Sequence, residues 1–135
     1  ADFAIIQLDR PVKGHAPLAV RKSGQVKNGD SLVVIGYPSG LPLKIADGAT
    51  VRAMTPPQHF VANLDTYGGN SGSAVFNTTT KLVEGILVRG EQDFVLDPKG
   101  CTRSNVCTND ACRGEDVTKI AEALPFIPNV KKQRR

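Results

Sequence analysis

The chain is divided into short apolar segments, and this pattern restricts its fold more than any other feature. The longest uninterrupted apolar runs, such as residues 3–6 and 32–35, contain four residues. Turn residues separate the segments, and the 13 glycines and 9 prolines among them interrupt long helices. Segments with the composition of β-strands cover residues 3–8, 31–35, 45–54, 60–64, 73–76, 82–88 and 94–96. Many short strands predict an all-β antiparallel sandwich or barrel in one domain.

One segment near the C-terminus has the periodicity of a helix instead. The apolar residues that recur at positions i, i+3, i+4 and i+7 are Val117, Ile120, Ala121 and Leu124. Two acidic residues precede them, which suits the start of a helix electrostatically. Pro125 lacks the N–H group that would continue the helix. The pattern therefore predicts a helix over residues 116–124.

The net charge of +4 comes from the end of the chain. Four basic residues lie among the last five (Lys131, Lys132, Arg134 and Arg135), and without them 13 basic residues balance 13 acidic ones. Nucleic-acid-binding surfaces typically combine basic clusters with interleaved aromatic residues. The 5 Phe and 2 Tyr of this chain are not interleaved with basic clusters. We therefore expect no nucleic-acid binding, and no membrane span, which needs about 20 apolar residues. The tail, residues 129–135, is interpreted as a solvated charge run, the alternative being contact with anionic surfaces.

Three cysteines lie in the polar loop formed by residues 99–114: Cys101, Cys107 and Cys112. Their spacing matches no common zinc pattern and no histidine is nearby, so we expect no metal site. Cysteines in a loop that lacks a core predict a disulfide, and hence a secreted or periplasmic protein. The sequence does not decide which two of the three cysteines are bonded, and any pairing would leave one free thiol. The alternative is that all three are reduced surface thiols.

The stretch that points most clearly to chemistry is residues 68–73, with the sequence Gly-Gly-Asn-Ser-Gly-Ser. Glycines on both sides of Ser71 allow a tight or left-handed backbone, so that successive N–H groups can point into one space. A serine hydroxyl becomes a good nucleophile when a base takes its proton and fixed donors stabilise the oxyanion. Ser71 can supply the nucleophile, and the N–H groups of Gly69 and Ser71 the oxyanion hole. Composition alone favours a plain turn between strands.

Residues 69–77 closely resemble the nucleophile motif of bacterial trypsin-like serine proteases, including the branch of the staphylococcal glutamyl endopeptidase. Four further segments resemble sequence landmarks of that family and occur in the same order, namely residues 2–8, 36–38, 85–88 and 116–124. The resemblance implies the trypsin-like double β-barrel fold. Residues 1–128 would be its C-terminal portion, with the last strand of the first barrel, the second barrel and a terminal helix.

The same resemblance implies chemical roles for individual residues. Ser71 would be the nucleophile, Asp2 would orient the catalytic histidine, and Gly69 and Ser71 would provide the oxyanion hole. The implied reaction is hydrolysis of a polypeptide substrate through an acyl-enzyme, without metal ion or organic cofactor. The alternative is a protease-like domain that binds peptide or protein without cleaving it.

The catalytic histidine has no match in the chain. In this family the order is His, Asp, Ser, so the histidine is expected upstream of Asp2. His15 is interpreted as a surface or turn residue, and His59 as a partly exposed residue at the end of a strand. We therefore expect an N-terminal fragment of the same protease to supply the histidine, and the chain to be inactive alone.

The resemblance also implies a substrate preference. Asp65 lies six residues before the serine, where the trypsin branch carries the aspartate at the floor of its primary specificity pocket. Thr66 would line this pocket, and Gly90 resembles the glycine that leaves its wall open. Asp65 there would pair with Arg or Lys of the substrate, so cleavage after these residues is implied. Leu87 stands about where glutamyl-specific members carry a histidine, which counts against Glu specificity. Two alternatives are that Asp65 only caps a turn, or that Arg89 neutralises it.

Overall fold

The computed structural model describes residues 1–54 and 57–127, and β-strands dominate this part of the chain. Its eight strands are β1 (Ser31–Gly36), β2 (Lys44–Ala53), β3 (His59–Ala62), β4 (Ala74–Asn77), β5 (Val83–Arg89), β6 (Phe94–Leu96), β7 (Thr102–Ser104) and β8 (Glu115–Lys119). Six of them close a barrel in the order β1-β2-β3-β8-β5-β4, and β6 pairs with β7 separately. A short helix, α1 (Ile120–Ala123), follows β8 and continues into a 3₁₀ turn at Leu124–Phe126. The all-β prediction with a short C-terminal helix is confirmed.

The barrel interior is filled by the inward-facing residues of its strands. Side chains alternate between the two faces of a strand, and the buried residues of β1, Leu32 and Val34, follow this alternation. The other strands complete the core with Ala49, Val51, Phe60, Ala62, Val75, Leu87 and Val117. Burial of each large apolar side chain contributes about 1.5–3 kcal/mol. This core holds the strand ends, and thus the loops that carry the candidate site, in fixed positions.

Most of the predicted strands are present. The segments predicted over residues 31–35, 45–54, 60–64, 73–76, 82–88 and 94–96 correspond to β1 through β6, with ends shifted by no more than two residues. The sequence indicates neither β7 nor β8 as a strand, and β7 gives no signal because its three residues are polar and exposed. It forms by pairing with β6, with Phe94 opposite Ser104. Backbone pairing, rather than an apolar pattern, therefore defines this hairpin.

The strand predicted over residues 3–8 is wrong. This segment forms no ladder with any residue that the structure describes. It is attached to the barrel by a hydrogen bond of 3.0 Å from the Asp2 N–H to Thr118 Oγ1, and the Phe3 ring lies 5.6 Å from that of Phe126. Ile6 is 79% exposed. A strand needs a neighbour to satisfy its N–H and C=O groups, and apolar composition alone does not provide one.

The helix predicted over residues 116–124 is too long. Its first half belongs to β8, which ends at Lys119, and only Ile120–Ala123 is α-helical. Val117 pairs with Phe60 of β3 on one side and with Leu87 of β5 on the other. Closing the barrel through these two ladders outweighs the local helical periodicity.

The loop before β8 contains a disulfide between Cys107 and Cys112, as the sequence predicts, with a Cα–Cα distance of 5.7 Å. Among the described residues Cys101 is left as a free, exposed cysteine, so the alternative of three reduced thiols is wrong. The basic tail, residues 129–135, lies outside the described residues. In the part that is described, no helix is long and apolar enough to cross a membrane.

Candidate active site

The loop between β3 and β4 is held from inside by the side chain of Asn70. This amide is 3% exposed. Its Nδ2 donates a hydrogen bond to Thr66 Oγ1, and its Oδ1 accepts one of 2.7 Å from Ser73 Oγ. Because a buried amide costs free energy unless its hydrogen bonds are made, these two contacts fix the loop on both sides of Asn70. The neighbouring residue, Ser71, is thereby held at the surface.

The end of β1 closes against this loop. A Cβ atom added to Gly36 would lie less than 3.0 Å from Asn70 Oδ1 and from Ser73 Oγ, closer than real Cβ atoms come to such neighbours. The turn that follows, Pro38–Gly40, also contacts the loop, because the Ser39 N–H donates a hydrogen bond of 2.7 Å to the carbonyl of Gly68. A glycine at position 36 is therefore required for the two segments to pack this closely.

Ser71 stands exposed in the loop, three residues before the start of β4 and beside β5. Its Oγ donates a hydrogen bond of 2.9 Å to the carbonyl of Val88. The next residue, Gly72, has φ +89° and donates its N–H to the carbonyl of Leu87 at 2.7 Å. The left-handed backbone at Gly72 is the conformation that the glycines on both sides of Ser71 predict.

The backbone N–H groups of the loop alternate between bonded and free. Asn70, Gly72 and Ser73 donate theirs to the carbonyls of Tyr67, Leu87 and Asn70, respectively. Within residues 1–54 and 57–127, the N–H groups of Gly69 and Ser71 find no acceptor. Gly69 has φ +86°, and a Cβ there would meet the backbone nitrogen of Ser39 at 3.2 Å. Two free donors beside a serine hydroxyl are what binding of an oxyanion needs.

Neither histidine lies at this serine. His59 is half-buried at the start of β3, with its Nε2 3.7 Å from Asp116 Oδ1, and His15 is exposed. Asp2 is also exposed, and its backbone N–H bonds to Thr118 on β8. Among the described residues, no hydrogen bond joins Ser71 to Asp2 or to a histidine. The structure thus positions the serine and the free N–H groups but does not assemble a triad.

A cavity of about 350 Å³ lies beside the loop. Asp65 and Thr66 line it, whereas Gly90 and Ser71 do not belong to its lining. Two further carboxylates from the segment after β5, Glu91 and Asp93, also line it. Among its described lining residues Arg52 is the one basic side chain, and its guanidinium donates to the carbonyl of Cys112 at 2.6 Å. The cavity is therefore acidic.

Gly90 has a different neighbour from the one that the sequence suggests. The carboxyl group of Glu115 occupies the space that a side chain at position 90 would fill, since a Cβ there would lie less than 3.0 Å from both carboxyl oxygens. Burial raises the pKa of Glu115 to about 7, and the charge of Asp93 adds to the effect. Glu115 is not recognisable as a site residue from the sequence, because its position before an apolar periodic segment suggests a helix start. The signal that the sequence offers for this site is an acidic residue directly after Gly114.

The raised pKa of Glu115 predicts a pH-dependent stability. The folded protein holds this proton more tightly than an unfolded chain whose carboxyl titrates near 4.5, so stability falls as pH rises from about 4.5 to about 7. Glu115→Gln removes this loss. Allowing for partial solvent exposure, we expect the variant to be more stable than wild type by roughly 1–2 kcal/mol at pH 8. At pH 4 the two proteins should unfold alike. Thermal unfolding measured from pH 4 to pH 8 tests this prediction, with Glu122→Gln as control. The same dependence of Tm on pH in Glu115→Gln and in wild type would contradict it.

Arg89 does not neutralise Asp65. Its Nε donates a hydrogen bond of 2.9 Å to Asp116 Oδ2, on the neighbouring strand β8. Asp116 is 2% exposed and also accepts a hydrogen bond of 2.5 Å from Arg113 Nη2. The expected alternative, in which Arg89 pairs with Asp65, is therefore wrong for this structure.

Two solved structures of Rv3671c from M. tuberculosis share this fold. The inactive form of a mutant has a TM-score of 0.59 and 17% sequence identity, covering 85% of this chain and 53% of that one. The active form, described as a protease, has a TM-score of 0.57 and 19% identity, covering 85% of this chain and 48% of that one. At these identities the likeness shows the fold alone, and the chain spans about half the length of these structures.

No curated protein matches the chain. A family model, described as trypsin-like peptidase domain, matches residues 1–86, which is well over half of the 135 residues. The matched region includes the barrel strands β1 to β4, most of β5 and the loop that carries Ser71. The chain therefore belongs to the family of trypsin-like peptidase domains.

Proposed function

We propose that the chain is the C-terminal portion, residues 1–128, of a serine endopeptidase in which Ser71 is the nucleophile. The observation that carries the proposal is an exposed hydroxyl flanked by two free N–H groups, on a loop fixed by a buried amide. Ser71 Oγ would attack the scissile carbonyl carbon while a base takes its proton. The oxyanion that forms would accept hydrogen bonds from the N–H groups of Gly69 and Ser71. The base would then return the proton to the leaving amine, and water would hydrolyse the acyl-enzyme.

The base in this proposal is a histidine supplied by an N-terminal fragment of the same protease. Supporting this, His59 is engaged with Asp116, and His15 is exposed on the segment before β1. Asp2, whose carboxylate accepts no hydrogen bond from the described residues, would orient the incoming histidine. Exposed apolar side chains at Ile5 and Ile6, 47% and 79% accessible, offer that fragment a packing surface. Without it, the chain is expected to be inactive.

The disulfide supports the proposed location outside the cytoplasm. Bonds such as Cys107–Cys112 persist in oxidising compartments and are rare in the cytosol. We therefore propose a secreted or periplasmic protease acting on polypeptides.

We propose cleavage after Arg or Lys. The acidic cavity supports this preference, because Asp65 contributes a carboxylate at its wall and Thr66 lies beside it. Glu91 and Asp93 add two further carboxylates to its lining. Leu87 is 3% exposed and packs in the core, so it offers nothing to an acidic substrate side chain. Kinship with the glutamyl-endopeptidase branch stays a prediction.

Asp65→Ser tests the substrate preference. In the assembled protease we expect this substitution to lower kcat/KM for a peptide with Arg at the cleaved position by about 30-fold. The value of kcat/KM for the same peptide with norleucine at that position should not change. The reason is the loss of a carboxylate partner for the guanidinium. Glu91→Gln, at the same cavity, is the matched control and should have the smaller effect. An unchanged ratio of Arg to norleucine hydrolysis in Asp65→Ser would show that Asp65 does not select the substrate.

A further inference from the structure

The peptide unit that carries the Gly69 N–H is held at its other end. The N–H of Ser39 donates a hydrogen bond of 2.7 Å to the carbonyl of Gly68, and the Ser39 hydroxyl donates a second one of 3.3 Å. The Gly68 carbonyl and the Gly69 N–H belong to one planar trans peptide, so they point in opposite directions. Fixing the carbonyl therefore fixes the direction of the Gly69 N–H, which is one of the two proposed oxyanion donors.

Asp93 holds the other side of Gly68. Its Oδ2 accepts a hydrogen bond of 2.7 Å from the Gly68 N–H. The neighbouring residues of the two segments also meet, since the rings of Tyr67 and Phe94 lie 5.5 Å apart. Asp93 itself is anchored, because its carbonyl accepts a hydrogen bond of 2.7 Å from the N–H of Asn105. The segment after β5 is thus tied at Gly68 to the loop that carries the serine.

Of the three carboxylates that line the cavity, Asp93 is the one bonded to this loop. Glu91 Oε2 accepts a hydrogen bond of 2.9 Å from the N–H of Arg113, which lies before β8. The carboxylate of Asp65 accepts no hydrogen bond from the part of the chain that the structure describes. The three groups share one cavity wall, but only the loss of Asp93 removes a contact from Gly68.

We propose that Asp93 is a positioning residue of the oxyanion hole, whose carboxylate keeps Gly68, and through it the Gly69 N–H, in place. The inference rests on the proposed role of the Gly69 and Ser71 N–H groups. Glycine has more backbone freedom than any other residue, so the conformation of Gly68 depends on its contacts. Without the Asp93 carboxylate only the contact from Ser39 remains, and the peptide shared with Gly69 is less firmly held. An oxyanion donor is effective when its direction is fixed before the reaction.

The experiment compares Asp93→Ala with Asp93→Asn in the assembled protease, on the Arg peptide and on its norleucine analogue. Both substitutions remove a charge from the cavity, but asparagine keeps an oxygen that can accept the Gly68 N–H. We expect Asp93→Ala to lower kcat about 30-fold on both peptides, which is less than the loss of about 10²–10³ on removal of a whole oxyanion donor. KM for the norleucine peptide should stay within about twofold of wild type, and kcat of Asp93→Asn within about threefold.

Asp97→Ala is the matched control. Its carboxylate also accepts hydrogen bonds from backbone N–H groups, those of Lys99 and Cys101 at 2.9 Å, but in the turn between β6 and β7 and not at the cavity. This variant loses the same kind of contact without affecting Gly68, so its kcat should equal that of wild type.

The two variants separate positioning from a role in stability or in charge. A kcat of Asp93→Ala equal to that of wild type, referred to the folded fraction, would overturn the inference. An equal loss of kcat in Asp93→Asn and Asp93→Ala would assign the effect to the charge and would overturn it as well. Amide hydrogen exchange of wild type gives a test that needs no variant to fold. The Gly68 N–H should exchange about 100-fold more slowly than the Gly69 N–H, and equal rates would refute the contact.

Failure of the proposed function would look different. An assembled wild type that hydrolyses neither peptide would refute the proposed nucleophile, and the role of Asp93 with it. A wild type that hydrolyses both peptides, and that Ser71→Ala inactivates but Asp93→Ala does not slow, would refute the positioning role alone.

Discussion

Ser71→Ala is expected to reduce peptide hydrolysis by the assembled protease about 10⁶-fold in kcat, as loss of a serine nucleophile does in comparable enzymes. The hydroxyl is the group that forms the acyl bond, and alanine leaves only the free N–H groups of Gly69 and residue 71 to act on the substrate. Since those groups and the pocket persist, KM should change little. Steady-state kinetics on an Arg-containing peptide give both constants.

Ser73→Ala is the matched control for this prediction. Ser73 lies in the same loop, but its hydroxyl donates to Asn70 rather than facing solvent. We expect Ser73→Ala to lower stability by about 1 kcal/mol, the usual net value of one hydrogen bond, and to leave kcat within about tenfold of wild type. A Ser71→Ala variant that retains hydrolysis, or a Ser73→Ala variant that loses it while folded, would contradict the assignment of the nucleophile.

Gly36→Ala is expected to destabilise the protein by about 3 kcal/mol and to lower the Tm by about 10 °C. The new methyl group would overlap Asn70 Oδ1 and Ser73 Oγ, which are bonded to each other and buried against the end of β1. Because the methyl group would overlap both atoms, relief requires moving the loop, and this movement displaces Ser71. We therefore expect activity to fall in the fraction that remains folded.

Gly68→Ala provides a control of the same chemical size. A Cβ at position 68 would meet only the Asp93 carboxylate at 3.2 Å, and this flexible side chain can move aside. Thermal unfolding of the two variants under the same conditions should separate them clearly. Similar Tm values for Gly36→Ala and Gly68→Ala would mean that the contact between β1 and the serine loop is not tight.

Much of the barrel could be predicted from the sequence, because its strands carry their own signals. The alternation in β1 and the glycines around Ser71 are local features, and local features are visible in a sequence. The errors arise where pairing between distant segments decides the structure. Residues 116–119 have helical periodicity but close the barrel between β3 and β5, and residues 3–8 have strand composition without a ladder. Local propensity cannot report either outcome.

The same distinction between local features and contacts across the sheet applies to the candidate site. Among the described residues the N–H groups of Gly69 and Ser71 have no acceptor, and Asp65 lies at a cavity wall, but the roles assigned to these residues stay predictions. Glu115 was not foreseen, because its contact with Gly90 joins residues 25 positions apart through the β5–β8 pairing. The pairing of Arg89 with Asp116 depends on the same ladder. Side chains that meet across a sheet need the strand register, which the sequence alone did not provide.

The most direct test of the account is labelling with a fluorophosphonate, which reacts with activated serine nucleophiles. The protein would be produced together with the upstream segment that carries the proposed histidine, labelled, and mapped by mass spectrometry. The account predicts one adduct, on Ser71, that is absent from Ser71→Ala and from the chain produced alone. A folded, assembled protein that acquires no adduct on Ser71 would contradict it, and would leave a protease-like domain that binds polypeptides without cleaving them.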